Sequence, residues 1–402
     1  MRGFVSRWKQ ASSFVRVAWS VGATVVVAVA SVPLLLFAQF ARDAIEDRSV
    51  DERIEELVRQ LNDESYVLRE AAVAELRQHG ERALPALREA ERDRDDLERR
   101  LQAQRVARTI MLSRARSRST GMEFVLVESG GYWIGSPPNE LNRRAEELAH
   151  IVYFSEPLLI GKHEVTQYDY WLVTGANPSS FALNGADAER VGKEVTARHP
   201  VENVTWFDAI EFCNRLSRLD RLPPYYRIEN ARRDGIHVVA ADVSPAGGNG
   251  YRLPTEAEWE CACRAGSRWP FHFGSSHTGK EANLKPGGGA TGGYGGPPTW
   301  TAPDRPVKIG GYAPNYWGLF DCHGNVAEWC WDWYAESAYQ ALETLDPTGP
   351  ADGKQRVVRG GSWMAMEGAC RSACRGWQPP NESRNYVGFR VCRTPSAVSQ
   401  SR

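Results

Sequence analysis

The sequence predicts an irregular α+β domain preceded by a short all-α stalk and a single membrane-spanning helix. Three observations predict this. Residues 17–41 contain no charged side chain. Residues 42–118 are dense in charge, poor in glycine, and carry apolar residues at helical spacing. From about 120 to 395, short apolar runs alternate with Gly, Pro and Asn turns, and long periodic helices are scarce.

The totals bound the function. The chain has 402 residues, 42% hydrophobic and 25% charged, with a net charge of −1. That length carries a core-bearing domain plus accessory segments. The charge balance excludes a strongly basic nucleic-acid binder, so no nucleic-acid partner is expected. A mean hydropathy of −0.46 excludes a protein that crosses the membrane many times. Eight Cys are too few for a disulfide-held miniprotein of this length.

The uncharged run 17–41 is long enough for a transmembrane helix, which needs about 20 apolar residues. Arg2, Arg7, Lys9 and Arg16 precede it without an acidic residue. Mixed charges follow at Arg42, Asp43, Glu46, Asp47 and Arg48. Positive residues stay in the cytoplasm, so residues 1–16 read as a cytoplasmic tail and the bulk of the chain as extracytoplasmic. A cleaved signal peptide is the rival reading. Its apolar region is shorter, and a small-x-small site should follow it; here Phe40 stands just before Ala41.

The stalk, 42–118, has Ile54, Leu57, Val58 and Leu61, then Leu68, Ala71, Ala72 and Leu76 at helical spacing. Gly80 is a stop signal, and Pro85 suits a first helical turn. Leu84, Leu87, Leu97 and Leu101 continue the pattern. This segment resembles one helix pair of the HEAT-repeat type. A single repeat leaves a face to cover, so a solvated spacer is the competing reading.

The domain, 120–395, holds all eight Cys and twelve of the fourteen Trp. Two helices are expected, over 206–219 and 255–265. Thr205 is the N-cap of the first, with Asp208 at its positive end. Thr255 and Glu258 have capping-box spacing in the second. There is no Walker loop, no Gly-x-Ser-x-Gly elbow and no His-Glu-x-x-His. The glycine runs at 247–250 and 287–296 lack a strand-to-helix pattern and read as loops. Cys261-x-Cys263 is not a zinc spacing, and the thiols read as small buried hydrophobes. Residues 396–402 are expected to form a disordered tail.

Several motifs occur in one order: Gly131-Tyr132-Trp133-Ile134-Gly135, Glu164-Val165-Thr166-Gln167, His199-Pro200-Val201-Glu202-Asn203-Val204-Thr205-Trp206 and Tyr251-Arg252-Leu253-Pro254-Thr255-Glu256. Gly324-Asn325-Val326-Ala327-Glu328-Trp329, Arg359-Gly360-Gly361-Ser362-Trp363 and Gly388-Phe389-Arg390 follow. Together these resemble the formylglycine-generating enzyme (sulfatase-modifying factor) family. The resemblance implies an elaborated C-type-lectin-like fold and an O2-dependent oxidation of a substrate Cys to formylglycine. It also implies a copper(I) ion held by two thiolates after the Gly-Gly-Ser motif, since soft thiolates suit Cu(I). Those two positions are Ala365 and Cys370. An alanine cannot bind metal, so copper is not expected. Any residual catalytic role would fall on Cys370 and Ser362.

The resemblance implies calcium as well. Asp321, Gly324, Val326 and Glu328 match one calcium loop, and hard oxygen ligands on a glycine-bearing turn suit that ion. Asn283 and Leu284 match the start of a second loop. It further implies cystines from Cys213 and Cys263, with partners near Cys392 and Cys374. The segment 363–386 occupies the family's substrate groove and resembles the diversified segment of retroelement variable proteins. Trp363, Arg371, Arg375, Trp377, Arg384 and Tyr386 are residue types that dominate binding interfaces, and they are expected to be exposed ligand contacts. The expected function is a membrane-anchored binding module for a polypeptide or other surface ligand. Formylglycine generation or a related oxidation is the alternative.

Overall fold

A computed structural model describes residues 48–63, 65–113, 115–285, 301–340 and 344–395. The expected cytoplasmic tail, the membrane span at 17–41, the glycine run at 287–296 and the tail at 396–402 lie outside these residues. Among the described residues, no helix is long and apolar enough to cross a membrane. The chain divides into two compact units, residues 1–107 and 108–402.

The first unit is helical, as the apolar spacing requires. Helix α1 (Tyr66–His79) ends where Gly80 takes a φ of 61° and donates its N–H to Leu76 O. A 3-10 turn (Gly80–Ala83) leads into α2 (Leu84–Glu91), with Pro85 in its first turn. Residues 48–59 are also helical, and a further helix, α3, spans Leu97–Ser113, running from the first unit into the second. Leu57, Leu61, Ala72, Leu76, Leu84 and Leu87 are buried together with Ile54 and Val58. Leu68, Leu97 and Leu101 depart from expectation and are about half exposed. Leu68 and Leu97 stand in the first turns of their helices, and Leu101 is one turn beyond Leu97. The HEAT-type assignment therefore receives no support beyond the helices themselves.

The second unit is α+β with short strands. Strands β1 (Phe124–Val127), β4 (Leu158–Gly161) and β11 (Cys392–Arg393) form a three-stranded antiparallel sheet with β4 central. Between β1 and β4 runs a hairpin of β2 (Gly130–Ile134) and β3 (His150–Phe154). A second hairpin pairs β5 (Tyr226–Asp234) with β6 (His237–Pro245). The four-stranded sheet has the order β10-β7-β8-β9. Its strands are β7 (Ala327–Trp333), β8 (Arg356–Arg359), β9 (Gly376–Gln378) and β10 (Val387–Gly388). β10 runs parallel to β7; the other pairs are antiparallel.

Both expected helices are present. Helix α5 (Trp206–Leu219) and α6 (Glu256–Arg264) each open on a complete capping box, Thr205 with Asp208 and Thr255 with Glu258. In α6 the helix stops at Ala265, which is left-handed at φ 46°. A further helix, α4 (Gln167–Thr174), was not expected, although Thr166 and Asp169 form a capping box there too.

The core explains part of the tryptophan excess. Trp206, Trp259 and Trp329 are fully buried. Their indole N–H groups still find acceptors: Cys330 O, Glu328 Oε2 and Val204 O. Burying an aromatic ring removes on the order of 200 Å² from water, so loop-rich folds gain much of their core this way.

Candidate functional site

The site is built on the turn after β8. All four residues of β8 are buried, and the chain leaves it through Gly360 and Gly361 at φ 88° and 68°. A Cβ on Gly361 would stand 2.4 Å from Cys370 Sγ. The glycine therefore serves a close approach as well as a left-handed turn. It brings the Ser362 segment against the cysteine.

Cys370 is fully buried in an apolar cluster of Phe271, Ala282 and Leu284, with Phe273 and Ala365 packed on it. Ala365, which has no metal-binding side chain, packs on this cluster. Cys370 Sγ lies 4.0 Å from Ala365 O. Burial pushes the Cys370 thiol well up, and the backbone N–H groups of Ser362 and Gly324 only partly offset it. A thiol in this environment is inert rather than nucleophilic. His323 Nδ1 donates to Cys370 O at 2.7 Å, and its Nε2 accepts from His272 N, so the ring is engaged at both nitrogens. All eight cysteines are free and buried; the cystines implied from Cys213 and Cys263 are not formed.

Three of the expected exposed ligand contacts are corrected. Arg371 and Arg375 are fully buried. Arg371 Nη1 pairs with Glu140 at 2.5 Å, and its two Nη atoms grip both oxygens of Glu147 at 2.8 and 2.7 Å. Arg375 pairs bidentately with Glu256 at 2.7 and 2.8 Å. Burial works against the Arg371 charge, but Glu147 and Glu140 overcome it and hold the pKa up. Neither guanidinium reaches the surface, because each satisfies a buried carboxylate. Trp363 is also buried, edge-on to Phe181 at 5.5 Å, with Nε1 donating to Asn385 O. The Arg190 guanidinium covers both rings, 4.9 Å from Phe181 and 5.2 Å from Trp363. Tyr386 is half-buried against the same cluster. Arg384 is exposed and pairs with Glu382, and Trp377 is half exposed beside Tyr334. The side chains this segment leaves exposed are therefore Trp377, Arg384, Met364 and Met366, with Tyr386 half-buried; Trp377 is on β9 and Arg384 precedes β10, at opposite edges of the four-stranded sheet.

The two stretches read as calcium loops meet. Asn325 N donates to Asn283 O at 2.7 Å, and a Cβ on Gly324 would lie 2.1 Å from that oxygen. Leu284 and Val326 are buried. Asp321 Oδ2 accepts from Gly310 N, while Asp321 Oδ1 and Asn283 Oδ1 are buried without a partner among the described residues. Glu328 is held by Arg390 at 2.5 and 2.6 Å and by Trp259 Nε1. Glu164, which the sequence did not single out as a ligand, is fully buried nearby and accepts both its hydrogen bonds from Asn325 Nδ2. Burial, then the charges of Asp321 and Glu328, push its carboxyl far above the usual range. Its signal was a charged residue beside the apolar run of β4. Among the described residues, no three His, Cys, Asp or Glu side chains converge closely enough to hold a metal ion.

Comparison with known proteins agrees with this architecture. The family described as "Sulfatase-modifying factor enzyme 1-like domain" matches residues 110–395. The chaperone protein LppX of Paenibacillus barcinonensis is 33% identical over 249 residues, covering 58% of this chain and 79% of that protein. The formylglycine-generating enzyme of Streptomyces coelicolor is 40% identical over 222 residues, covering 53% of this chain and 59% of the enzyme. Among solved structures, Treponema denticola variable protein 1 aligns with a TM-score of 0.54 at 29% identity, over 69% of this chain and 97% of that one.

Proposed function

This chain belongs to the sulfatase-modifying factor enzyme 1-like domain family, and on that premise we propose that it is a binding module for polypeptide ligands rather than a formylglycine-generating oxidase. One observation carries the reading: the residue whose backbone carbonyl lies 4.0 Å from the buried Cys370 sulfur is Ala365, whose side chain offers no soft ligand. A lone, apolar-enclosed thiol is a poor Cu(I) site. The remaining surface suits recognition. Trp377 and Arg384 are typical hot-spot residue types, and the buried pairs of Arg371 and Arg375 hold the loop that presents them. A loop fixed before binding loses less entropy on association. The uncharged run 17–41 and the basic residues before it support tethering to a membrane, with the domain outside the cytoplasm.

The test uses the full chain, supplied with Cu(I), O2 and a sulfatase-type Cys peptide. The peptide mass is expected to stay unchanged. Conversion of its Cys to formylglycine would overturn the reading.

Calcium is proposed as a structural ion of this domain. Glu164, Asp321 and Glu328 are buried near one another; Arg390 pairs with Glu328, and burial and the neighbouring carboxylates push the Glu164 carboxyl towards its protonated form. Carboxylates crowded enough to help raise Glu164 favour a hard cation, and Asp321 Oδ1 and Asn283 Oδ1 are buried oxygens without a partner among the described residues. When bound, the ion neutralises charge and ties the two loops together. Chelation with EDTA is expected to lower the melting temperature, and added Ca²⁺ to restore it; at about 1,000 times Kd, binding contributes about 4 kcal/mol. A melting temperature indifferent to both additions removes the site.

A further inference from the structure

Away from the 363–386 segment, two cavities of about 480 and 430 Å³ adjoin, sharing Arg116 and Glu123 as a common wall. Each volume lies within the usual range for small-ligand sites. The wall is charged but balanced. Glu123 is clamped between Arg116 and Lys162. Asp169 is committed to the capping box of α4 through Thr166 Oγ1 at 2.6 Å. His163 and the Glu164 carboxyl, pushed towards its protonated form, complete the polar lining of the first cavity, so the cleft offers polar groups of both signs. Aliphatic lining is sparse; in the first cavity Met122 and Ile309 supply most of it, so there is no apolar socket for a peptide side chain.

Aromatic rings mark both ends. Tyr168 lines the first cavity, is half exposed, and has Trp171 beside it at 6.2 Å between ring centres, also half exposed. Trp317 lines the second cavity, and the preceding residue, Tyr316, is 93% exposed. Arg198, at the first cavity, is exposed and makes no ion pair among the described residues. Trp317 is partly buried, edge-on to Tyr132 at 5.7 Å, whereas Tyr168 and its neighbour Trp171 leave half their surface in water beside the polar cleft. The complementary ligand has many hydroxyls, no net charge and apolar ring faces.

We propose that this cleft binds a neutral oligosaccharide, with sugar faces stacked on Tyr168 and Trp317 and hydroxyls bonded to Arg198, Glu123 and Arg116. The site is separate from the peptide-binding surface and stands or falls independently of it. The test is saturation-transfer difference NMR on the full chain with maltotriose, cellotriose and chitotriose, each at about 10 mM, a concentration that detects even millimolar affinity. At least one sugar is expected to show transfer to its ring C–H protons. Tyr168→Ala and Arg198→Ala should each weaken that sugar roughly tenfold, about 1.4 kcal/mol. Trp269→Ala, an exposed tryptophan that lines neither cavity, should leave it unchanged. Melting temperatures near the parent's confirm that the variants are folded. No transfer from any of the three sugars, or undiminished transfer in Tyr168→Ala, overturns the proposal.

Discussion

Arg371→Ala is expected to destabilise the domain by about 3–5 kcal/mol, read as a fall in the denaturant midpoint. The cost comes from what is left behind. Arg371 satisfies Glu147 with both Nη atoms, reaches Glu140 with one, and donates to Asn142 O and Gly368 O. Its removal strands two carboxylates whose side chains are at most 2% exposed. The hydrogen bonds also tie the 363–386 segment to a loop more than 220 positions earlier in the chain. The loss should therefore weaken ligand binding as well as stability. Arg384→Ala is the contrast. Its partner Glu382 is exposed with it, and exposed pairs contribute about 0–1 kcal/mol. Equal, small effects from both substitutions would contradict the burial assignment.

Ala365→Cys is expected to create a tight Cu(I) site that the unaltered chain is expected to lack. The new sulfur would enter the cluster that already encloses Cys370, with Gly361 leaving room for the turn. Two thiolates are a strong soft-ligand pair, and binding should also draw the raised Cys370 thiol into its deprotonated form. The expected gain over the parent is about a thousandfold in affinity, about 4 kcal/mol, measured by competition with a Cu(I) chelator. No gain would mean that the two positions do not face a common metal.

The legible parts of the fold were those written locally. Thr205 with Asp208 and Thr255 with Glu258 announced their helices because a capping box spans only four residues. Thr166 with Asp169 carries the same signal, but α4 is eight residues long and its pattern of apolar residues is weak, so the cap alone did not identify it. Gly80 and Pro85 likewise marked the break between α1 and α2. The ordered motifs from Gly131 to Arg390 pointed to a family that matches residues 110–395.

The illegible parts were decided by distant partners. Arginine suits both an exposed hot spot and a buried ion pair, and only the positions of Glu147 and Glu256 assign Arg371 and Arg375 to the interior. Trp363 poses the same ambiguity, resolved by Phe181 and Arg190. The two loops read as separate cation sites meet at Asn283 and Asn325, 42 positions apart, and Glu164 joins their surroundings from 161 positions before Asn325. No spacing rule reaches across such separations. Leu68, Leu97 and Leu101 show the converse failure: helical period was right, yet the face it selected was not wholly buried.

The most direct measurement is a Cu(I) titration of the unaltered chain, set against a chelator of known affinity, with Cys370→Ser as the reference. The parent and Cys370→Ser should be indistinguishable, both failing to compete. Stoichiometric Cu(I) retained by the parent and lost in Cys370→Ser would contradict the account and return the domain to the oxidases.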